Sequence, residues 1–388
     1  MPIIIIIKQF LKILLIEIIR SILHIFYIFP VQNEMILFSA YWKAYCCNPK
    51  YIYEYLNRIM KKNITYVWVG YNIYFNSGSK TIFVKPRSFK CIYYLLISQI
   101  IITNDNYPSW IPFRKNQVII NTWHGGGAYK SIGIDNKETK DYYSLYVIKR
   151  IGFRTNYFIS SSKIFSELIS KELYIDQKKF LPIGMPRNDI FFRTSINAEE
   201  IKKKIGIHPS TSIILYAPTY RGNSKFNKSI INDIQIDFEK VINSCNFRFN
   251  TNFLLLYRSH HVMKNVSVNN DSLINVTDYH DMQELLYIAD ILITDYSSCM
   301  WDFSLTYRPG FLYIPDVHAY NDQRGLCTPV SEWPFGYAIT NEQLCANIEN
   351  FNENENIMKI KKHHSKLGSY EHGNSTFILT ELINDILK

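Results

Sequence analysis

Short runs of β-branched and aromatic residues, separated by polar or helix-patterned stretches, recur along most of this 388-residue chain. In the first half they are MILFSA (35–40), ITYVWVG (64–70), QIIITND (99–105), QVIINTW (117–123) and TNYFISSS (155–162). In the second half they are TSIILYAPTY (211–220), FLLLYRSH (253–260), SLINVTD (272–278), ILITDYSS (291–298) and GFLYIPD (310–316). Alternation of this kind builds βαβ units and parallel sheets. At this length two such domains are expected, because a single core seldom grows that large. The spacing predicts an α/β protein of two Rossmann-like domains facing each other across a cleft. The boundary is placed near residue 195, giving domains at 31–195 and 196–388. FNENENIMK (351–359) reads as a solvated loop, and STFILTELINDILK at the end as a closing helix of the second domain.

Residues 3–29 are a separate case. They are mostly Ile, Leu and Phe, yet Lys8, Lys12, Glu17, Arg20 and His24 interrupt them. No charge-free window reaches the roughly 20 residues that a spanning helix needs. On a helical wheel the polar residues gather on one side, as in a helix lying in the membrane interface; a buried first helix of the core is the alternative. No small-residue cleavage site follows, so residues 1–30 are expected to be a membrane-associating helix rather than a secretory signal. The formal net charge of +10 suits an anionic partner. No nucleic-acid-binding motif accompanies it, so nucleic acid is not expected. Seven cysteines with no C-x-x-C pair argue against a disulfide framework and a zinc site, and favour reduced thiols.

The stretch NTWHGGGAYKSIG (121–133) carries the first chemistry. HGGG occurs in the oxyanion loops of lipases, but that reading requires a G-x-S-x-G elbow, and the chain has none. A glycine turn capped by a histidine is the plain alternative. Position favours function: His124 follows a strand-like run, at the carboxyl end where open α/β sheets bind ligands. A histidine there can take a proton from an alcohol, Lys130 can face a phosphate, and glycines such as Gly125 let the backbone approach a ligand. The second constellation is TDYSS, where Thr294, Ser297 and Ser298 offer hydroxyls and a helix start offers N–H groups to an anion. An ordinary N-cap is its alternative. In the third, YRSHH, Arg258 and His260 close another strand.

Together these stretches, with GMPRND (184–189), APTYRG (217–222), RPGFLYIPD (308–316) and Tyr320 before Arg324 and Gly325, resemble the CDP-glycerol glycerophosphotransferase family of teichoic acid and capsule polymer synthesis. The landmarks run in the family's order over nearly all of the chain after residue 100. The resemblance implies a GT-B fold, with an acceptor-side domain first and a CDP-alcohol domain second, working at the cytoplasmic face of the cell membrane as a peripheral protein. It implies that His124 and His260 are the essential histidines, and that Thr294, Ser297, Ser298 and Arg258 hold the donor diphosphate. Gly125, Lys130, Arg187, Arg221, Asp295 and Arg324 are further substrate-binding candidates. The implied reaction is transfer of glycerol phosphate from CDP-glycerol to a hydroxyl of a lipid-linked or polymeric acceptor, releasing CMP. No acidic metal cluster is in view, so no cofactor is required by this reading, and Mg²⁺ would enter only with the nucleotide. Lys130 stands six residues after His124 rather than the family's common five, which keeps CDP-ribitol as an alternative donor. A GT-B glycosyltransferase of the polysialyltransferase kind is the other alternative.

Overall fold

The computed structural model describes residues 3–60, 63–71, 81–135, 141–193, 196–219, 236–258 and 272–388. The chain forms two compact units: Met1–His124 with Ser131–Asp189 and Ser369–Lys388, and Gly125–Lys130 with Ile190–Gly368.

The first unit opens with helix α1 (Ile3–Leu23) and a 3-10 turn at His24–Ile28. There follow β1 (Gln32–Ser39), α2 (Cys47–Ile59), β2 (Thr65–Val69), β3 (Thr81–Val84), α3 (Phe89–Ile97), β4 (Ser98–Thr103), β5 (Val118–Asn121), α4 (Tyr142–Arg154), β6 (Tyr157–Ser160), α5 (Lys163–Leu173) and β7 (Phe180–Pro182). The strands form one sheet in the order β3-β2-β1-β4-β5-β6-β7, with every pair parallel. Both faces are covered, so the strands read as unbroken apolar runs. Period two still sorts their side chains. Ile36, Phe38, Ile100, Ile102 and Ile120 join one core, and Leu37, Ile101 and Ile119 join the core on the opposite face.

The second unit contains α6 (Ala198–Ile205), β8 (Ser212–Ala217), α7 (Phe238–Phe249), β9 (Phe253–Tyr257), β10 (Leu273–Asn275), α8 (Met282–Ile288), β11 (Ile291–Thr294), α9 (Cys299–Ser304), β12 (Gly310–Tyr313), α10 (Val317–Arg324), β13 (Gly336–Ala338), α11 (Asn341–Glu349) and α12 (Glu353–Leu367). Its sheet is again parallel, in the order β10-β9-β8-β11-β12-β13. Each unit therefore reverses its strand order once, between β1 and β4 and between β8 and β11. Those are the crevices where doubly wound sheets take ligands.

Three expectations are corrected. The segment read as a solvated loop begins α12: the Asn352 side chain caps it by accepting the Glu355 N–H at 3.2 Å, and Asn356, Ile360, His363 and Leu367 form a buried stripe. The closing helix α13 (Ser375–Ile386) belongs to the first unit, not the second. Its Leu379 and Ile383 enter the core around Phe158, and the Asp189 carboxylate accepts the N–H groups of Ser375 and Thr376 at its first turn. The chain accordingly leaves the first unit after Asp189 rather than near 195.

Helix α1 packs on the unit through part of its polar side: Gln9 accepts the Tyr142 N–H, Lys12 lies over the Tyr143 ring, and Arg20 donates to the Ser109 and Ile111 carbonyls at 2.9 and 2.7 Å. Its apolar side faces outward, with Ile4, Phe10, Leu11, Leu14, Leu15, Ile18 and Ile22 exposed. A helix resting in an interface by itself would turn its charges to water. Here Glu17 and Arg20 are bonded to the domain, while Lys8 and Lys12 stay exposed. Among the described residues, no helix is long and apolar enough to cross a membrane.

Candidate active site

In the first unit the site begins where β5 ends. Asn121 accepts the Trp123 N–H through Oδ1 at 2.8 Å, and Trp123 takes a left-handed backbone at φ 51°. That conformation costs a non-glycine residue about 1–3 kcal/mol and persists only where its surroundings impose it. Here Asn48, in the first turn of α2, donates through Nδ2 to the carbonyls of Thr122 and Trp123, both at 3.0 Å. The turn presents His124, whose Nδ1 lies 2.8 Å from the carbonyl oxygen of Asn104, the residue after β4. A carbonyl only accepts, so Nδ1 carries a proton, and in the neutral form of the ring the lone pair is on Nε2. The imidazole stacks on Trp123 at 4.6 Å and lies 5.4 Å from the Tyr41 ring. Tyr41 is fixed in turn by Asn104, whose Oδ1 accepts the Tyr41 N–H at 2.8 Å.

The carboxyl edge of β1, β4 and β5 is unusual in another way. Ser39 Oγ, Asn104 Nδ2 and Asn121 Nδ2 are buried and have no hydrogen-bond partner in the protein. Nearly all buried polar groups are matched, so a cluster of unmatched ones points to a polar occupant. Ser39 pairs in register with Thr103, and Thr103 with Asn121, which puts these groups side by side.

Arg187, expected at the substrate, is instead 2% exposed. Its N–H donates to Asn48 Oδ1 at 3.0 Å and its guanidinium to Cys47 Sγ at 3.2 Å. It braces the start of α2, and through Asn48 the turn before His124. Asn188 donates to Glu371 at 3.0 Å, so the rest of that landmark anchors the C-terminal segment.

The glycines after His124 belong to the second unit. A Cβ at Gly126 would overlap the Trp301 ring, and Gly127 has φ 71°. The backbone approach that these glycines allow is therefore to a tryptophan, with a left-handed turn beside it. The Tyr129 carbonyl accepts the Cys327 N–H at 2.9 Å, Lys130 bridges to Leu326, and the Tyr129 hydroxyl lies 2.9 Å from His363 Nε2. Gly125 and Lys130 stay partly exposed.

At the switch point of the second unit, Thr294 is fully buried and donates to the Ala217 carbonyl at 2.7 Å. Asp295, 1% exposed, accepts the Thr219 N–H at 2.8 Å. These two tie β11 to the loop after β8. Ser297 and Ser298 are half-buried. Ser298 occupies the N-cap position of α9 without a side-chain capping bond, and Ser297 receives only a long contact from the Cys299 N–H, at 3.4 Å. An ordinary N-cap would have used its hydroxyl. Burial pushes the neighbouring Cys299 thiol up to about 11, which leaves it no nucleophile. Arg258 follows β9 directly, its N–H bonded to the Tyr216 carbonyl at 2.9 Å, and Arg324 ends α10. His260 and Arg221 lie outside the described residues. Among the described residues, no group of three or more His, Cys, Asp and Glu side chains is placed to hold a metal ion.

Sequence reasoning missed Asn48, Tyr41 and Asn104. Asn104 was within reach, since it ends a strand-like run as His124 does. Asn48 and Tyr41 sit in stretches with no motif.

Two doubly wound parallel sheets, each with polar loops at its switch point, define a GT-B-like α/β protein. A family profile described as CDP-glycerol:poly(glycerophosphate) glycerophosphotransferase matches residues 21–385, and the chain belongs to that family. It is 30% identical over 368 residues to the teichoic acid poly(glycerol phosphate) polymerase of Bacillus spizizenii, covering 89% of this chain and 91% of that protein. It is 27% identical to the polymerase of the same name from Staphylococcus epidermidis, covering 92% of this chain but 51% of that longer protein. Teichoic acid ribitol-phosphate polymerases match as well. The solved structure of the wall teichoic acid polymerase TagF superposes with a TM-score of 0.82 at 23% identity, over 98% of each chain, which establishes the shared fold.

Proposed function

We propose that the chain transfers glycerol phosphate from CDP-glycerol to a hydroxyl of a lipid-linked or polymeric acceptor. The acceptor oxygen attacks the β-phosphorus, the bond from that phosphorus to the bridging oxygen breaks, and CMP leaves. The observation that carries this reading is the bond from His124 Nδ1 to the Asn104 carbonyl, because with the proton on Nδ1 the basic nitrogen of a neutral ring is Nε2. General-base help of this kind gives about two to four orders of magnitude in rate.

The larger part of phosphoryl-transfer catalysis is electrostatic stabilisation of charge on the departing phosphate. That part falls to Ser297, Ser298 and Arg258, with Thr294 and Asp295 holding the crevice in shape. The family resemblance adds His260. Attachment to the membrane through the outward apolar side of α1 would keep a lipid-linked acceptor close.

The six-residue spacing from His124 to Lys130, together with the matching ribitol-phosphate enzymes, favours CDP-ribitol as the second donor to examine. The test supplies purified protein and acceptor with CDP-glycerol, CDP-ribitol and CMP- or UDP-sugars in parallel, and measures nucleotide release. CMP release from CDP-glycerol that falls at least about a hundredfold in His124→Ala is expected. Release from a nucleotide sugar alone would overturn the phosphotransferase reading.

A further inference from the structure

Away from both switch points, the first unit contains a pocket of about 460 Å³ between α1, α4 and the loop after β4. Its lining includes Arg20 of α1 and Lys149, Arg150 and Arg154 of α4. The carboxylate bonded to this group is Glu17, which contacts Arg150 at 2.9 Å and also receives the Tyr146 hydroxyl. Arg20 and Arg150 share this carboxylate, and among the described residues no acidic side chain lines the pocket beside the four cations. Backbone carbonyls hold the guanidinium groups in place: those of Ser109 and Ile111 for Arg20, and those of Arg114 and Gln117 for Arg154. Neutral carbonyls orient a cation without cancelling its charge. Arg150 Nε is buried with no partner at all. Burial, and then the charge of Arg150, lower the pKa of Arg20, a penalty that a bound anion would relieve.

Part of the pocket's lining is apolar, in Ile111, Phe113 and Phe153. Ile18 and Ile22 on the outward side of α1 are exposed, and Phe153, which lines the pocket, is 84% exposed. A cationic recess flanked by bare aliphatic and aromatic side chains matches the boundary between headgroups and acyl chains.

We propose that this pocket binds the phosphate of an anionic membrane lipid headgroup, so that the α1 face and the pocket engage one leaflet together. The proposal rests on the membrane attachment read above, and adds a stoichiometric, headgroup-selective site to it. The site is separate from the His124 turn and takes no part in phosphoryl transfer.

Lys149 is the group to change, since it is exposed and its ammonium lies over the Tyr174 ring, at 4.9 Å. Full-length protein, Lys149→Glu and the α1 variant Leu11→Ser/Leu15→Ser would be floated with phosphatidylcholine vesicles, with and without phosphatidylglycerol. The same three proteins would be titrated with water-soluble dihexanoyl phosphatidylglycerol, dihexanoyl phosphatidylcholine and inorganic phosphate. The expected result is saturable binding of dihexanoyl phosphatidylglycerol, weakened at least about tenfold in Lys149→Glu and retained in Leu11→Ser/Leu15→Ser, with flotation lost in the latter on both vesicle types. Equal binding of inorganic phosphate and the short-chain lipid would overturn the lipid assignment. Unchanged lipid binding in Lys149→Glu would overturn the pocket. Failure of every protein to float, with short-chain lipid still bound, would overturn the membrane reading and leave the pocket standing.

Discussion

Acid should loosen the second unit through two buried histidines, and the structure says how. The His363 Nδ1–H donates to the Glu332 carbonyl at 2.7 Å, so its Nε2 accepts from the Tyr129 hydroxyl. Ser304 gives its hydroxyl proton to the Trp301 carbonyl at 2.7 Å, so it must receive one from His364 Nε2, 2.8 Å away. The lone pair of His364 is then on Nδ1, which is buried without a partner. Protonating His363 removes the acceptor of Tyr129, and protonating His364 buries a donor that has nowhere to donate. Burial accordingly lowers the two pKa values to about 4 and about 3. The depressed values mean that the unfolded chain binds more protons than the folded one. The histidines' contribution is therefore complete above pH 6.5 and is lost as the pH falls from there towards 4 for His363 and towards 3 for His364. At pH 5 the loss is about 1.5 pH units at 1.36 kcal/mol each, or about 2 kcal/mol per histidine and about 4 kcal/mol for the pair. Against a domain stability of roughly 5–15 kcal/mol this is a large fraction.

The assay is urea unfolding at pH 7.5, 6 and 5, followed by tryptophan fluorescence, since Trp301 lies 4.5 Å from His364 and 6.0 Å from His363. Carboxylates titrate in the same range, so the comparison is with His363→Gln/His364→Gln, whose stability should fall less over this interval. Parallel slopes for the two proteins would refute the reasoning. Should the double variant not fold, NMR titration of the wild-type imidazoles decides, and a pKa near 6.5 for either ring would sink the account.

Asn48→Ala removes both donors that hold the Trp123 turn, so turnover should fall about tenfold or more through misplacement of His124 while the donor KM holds; an unchanged kcat would remove Asn48 from the mechanism. Ser297→Ala and Ser298→Ala should each weaken CDP-glycerol binding by about 1.5–3 kcal/mol without lowering the melting temperature, and a drop in melting with unchanged binding would return them to ordinary capping. Gly126→Ala should destabilise the second unit by about 1–3 kcal/mol, because its methyl group meets Trp301, and a melting curve identical to wild type would show that the loop has room.

The parallel-sheet architecture was legible because strands buried on both faces must be apolar throughout, and runs such as Ile100–Ile102 leave no other reading. The elements that escaped are β3, β7 and β13, of four, three and three residues. Each lies at or near a sheet edge, where the neighbours and not the sequence supply the ladder. The loop expected at 351–359 failed for a different reason: its stripe of Asn356, Ile360, His363 and Leu367 is half polar, and only its packing around Tyr129 and Trp301 makes it a core face.

The site divides along the same line. His124, Ser297 and Ser298 were found because a strand's carboxyl end is a rule about backbone, which sequence encodes. What each side chain does there depends on groups far away in the chain. Arg187, a substrate-binding candidate, bonds through its backbone N–H to Asn48, 139 positions away, and Thr294, a candidate for the donor diphosphate, bonds the Ala217 carbonyl. The triple glycine shows the limit most clearly. A glycine says only that something comes close, and whether that is a ligand or Trp301 is fixed by a residue nearly half the chain away. Roles assigned from motif membership alone therefore weigh most where the side chain stays half-exposed, as at His124, Ser297 and Ser298, and least where it is buried and already bonded.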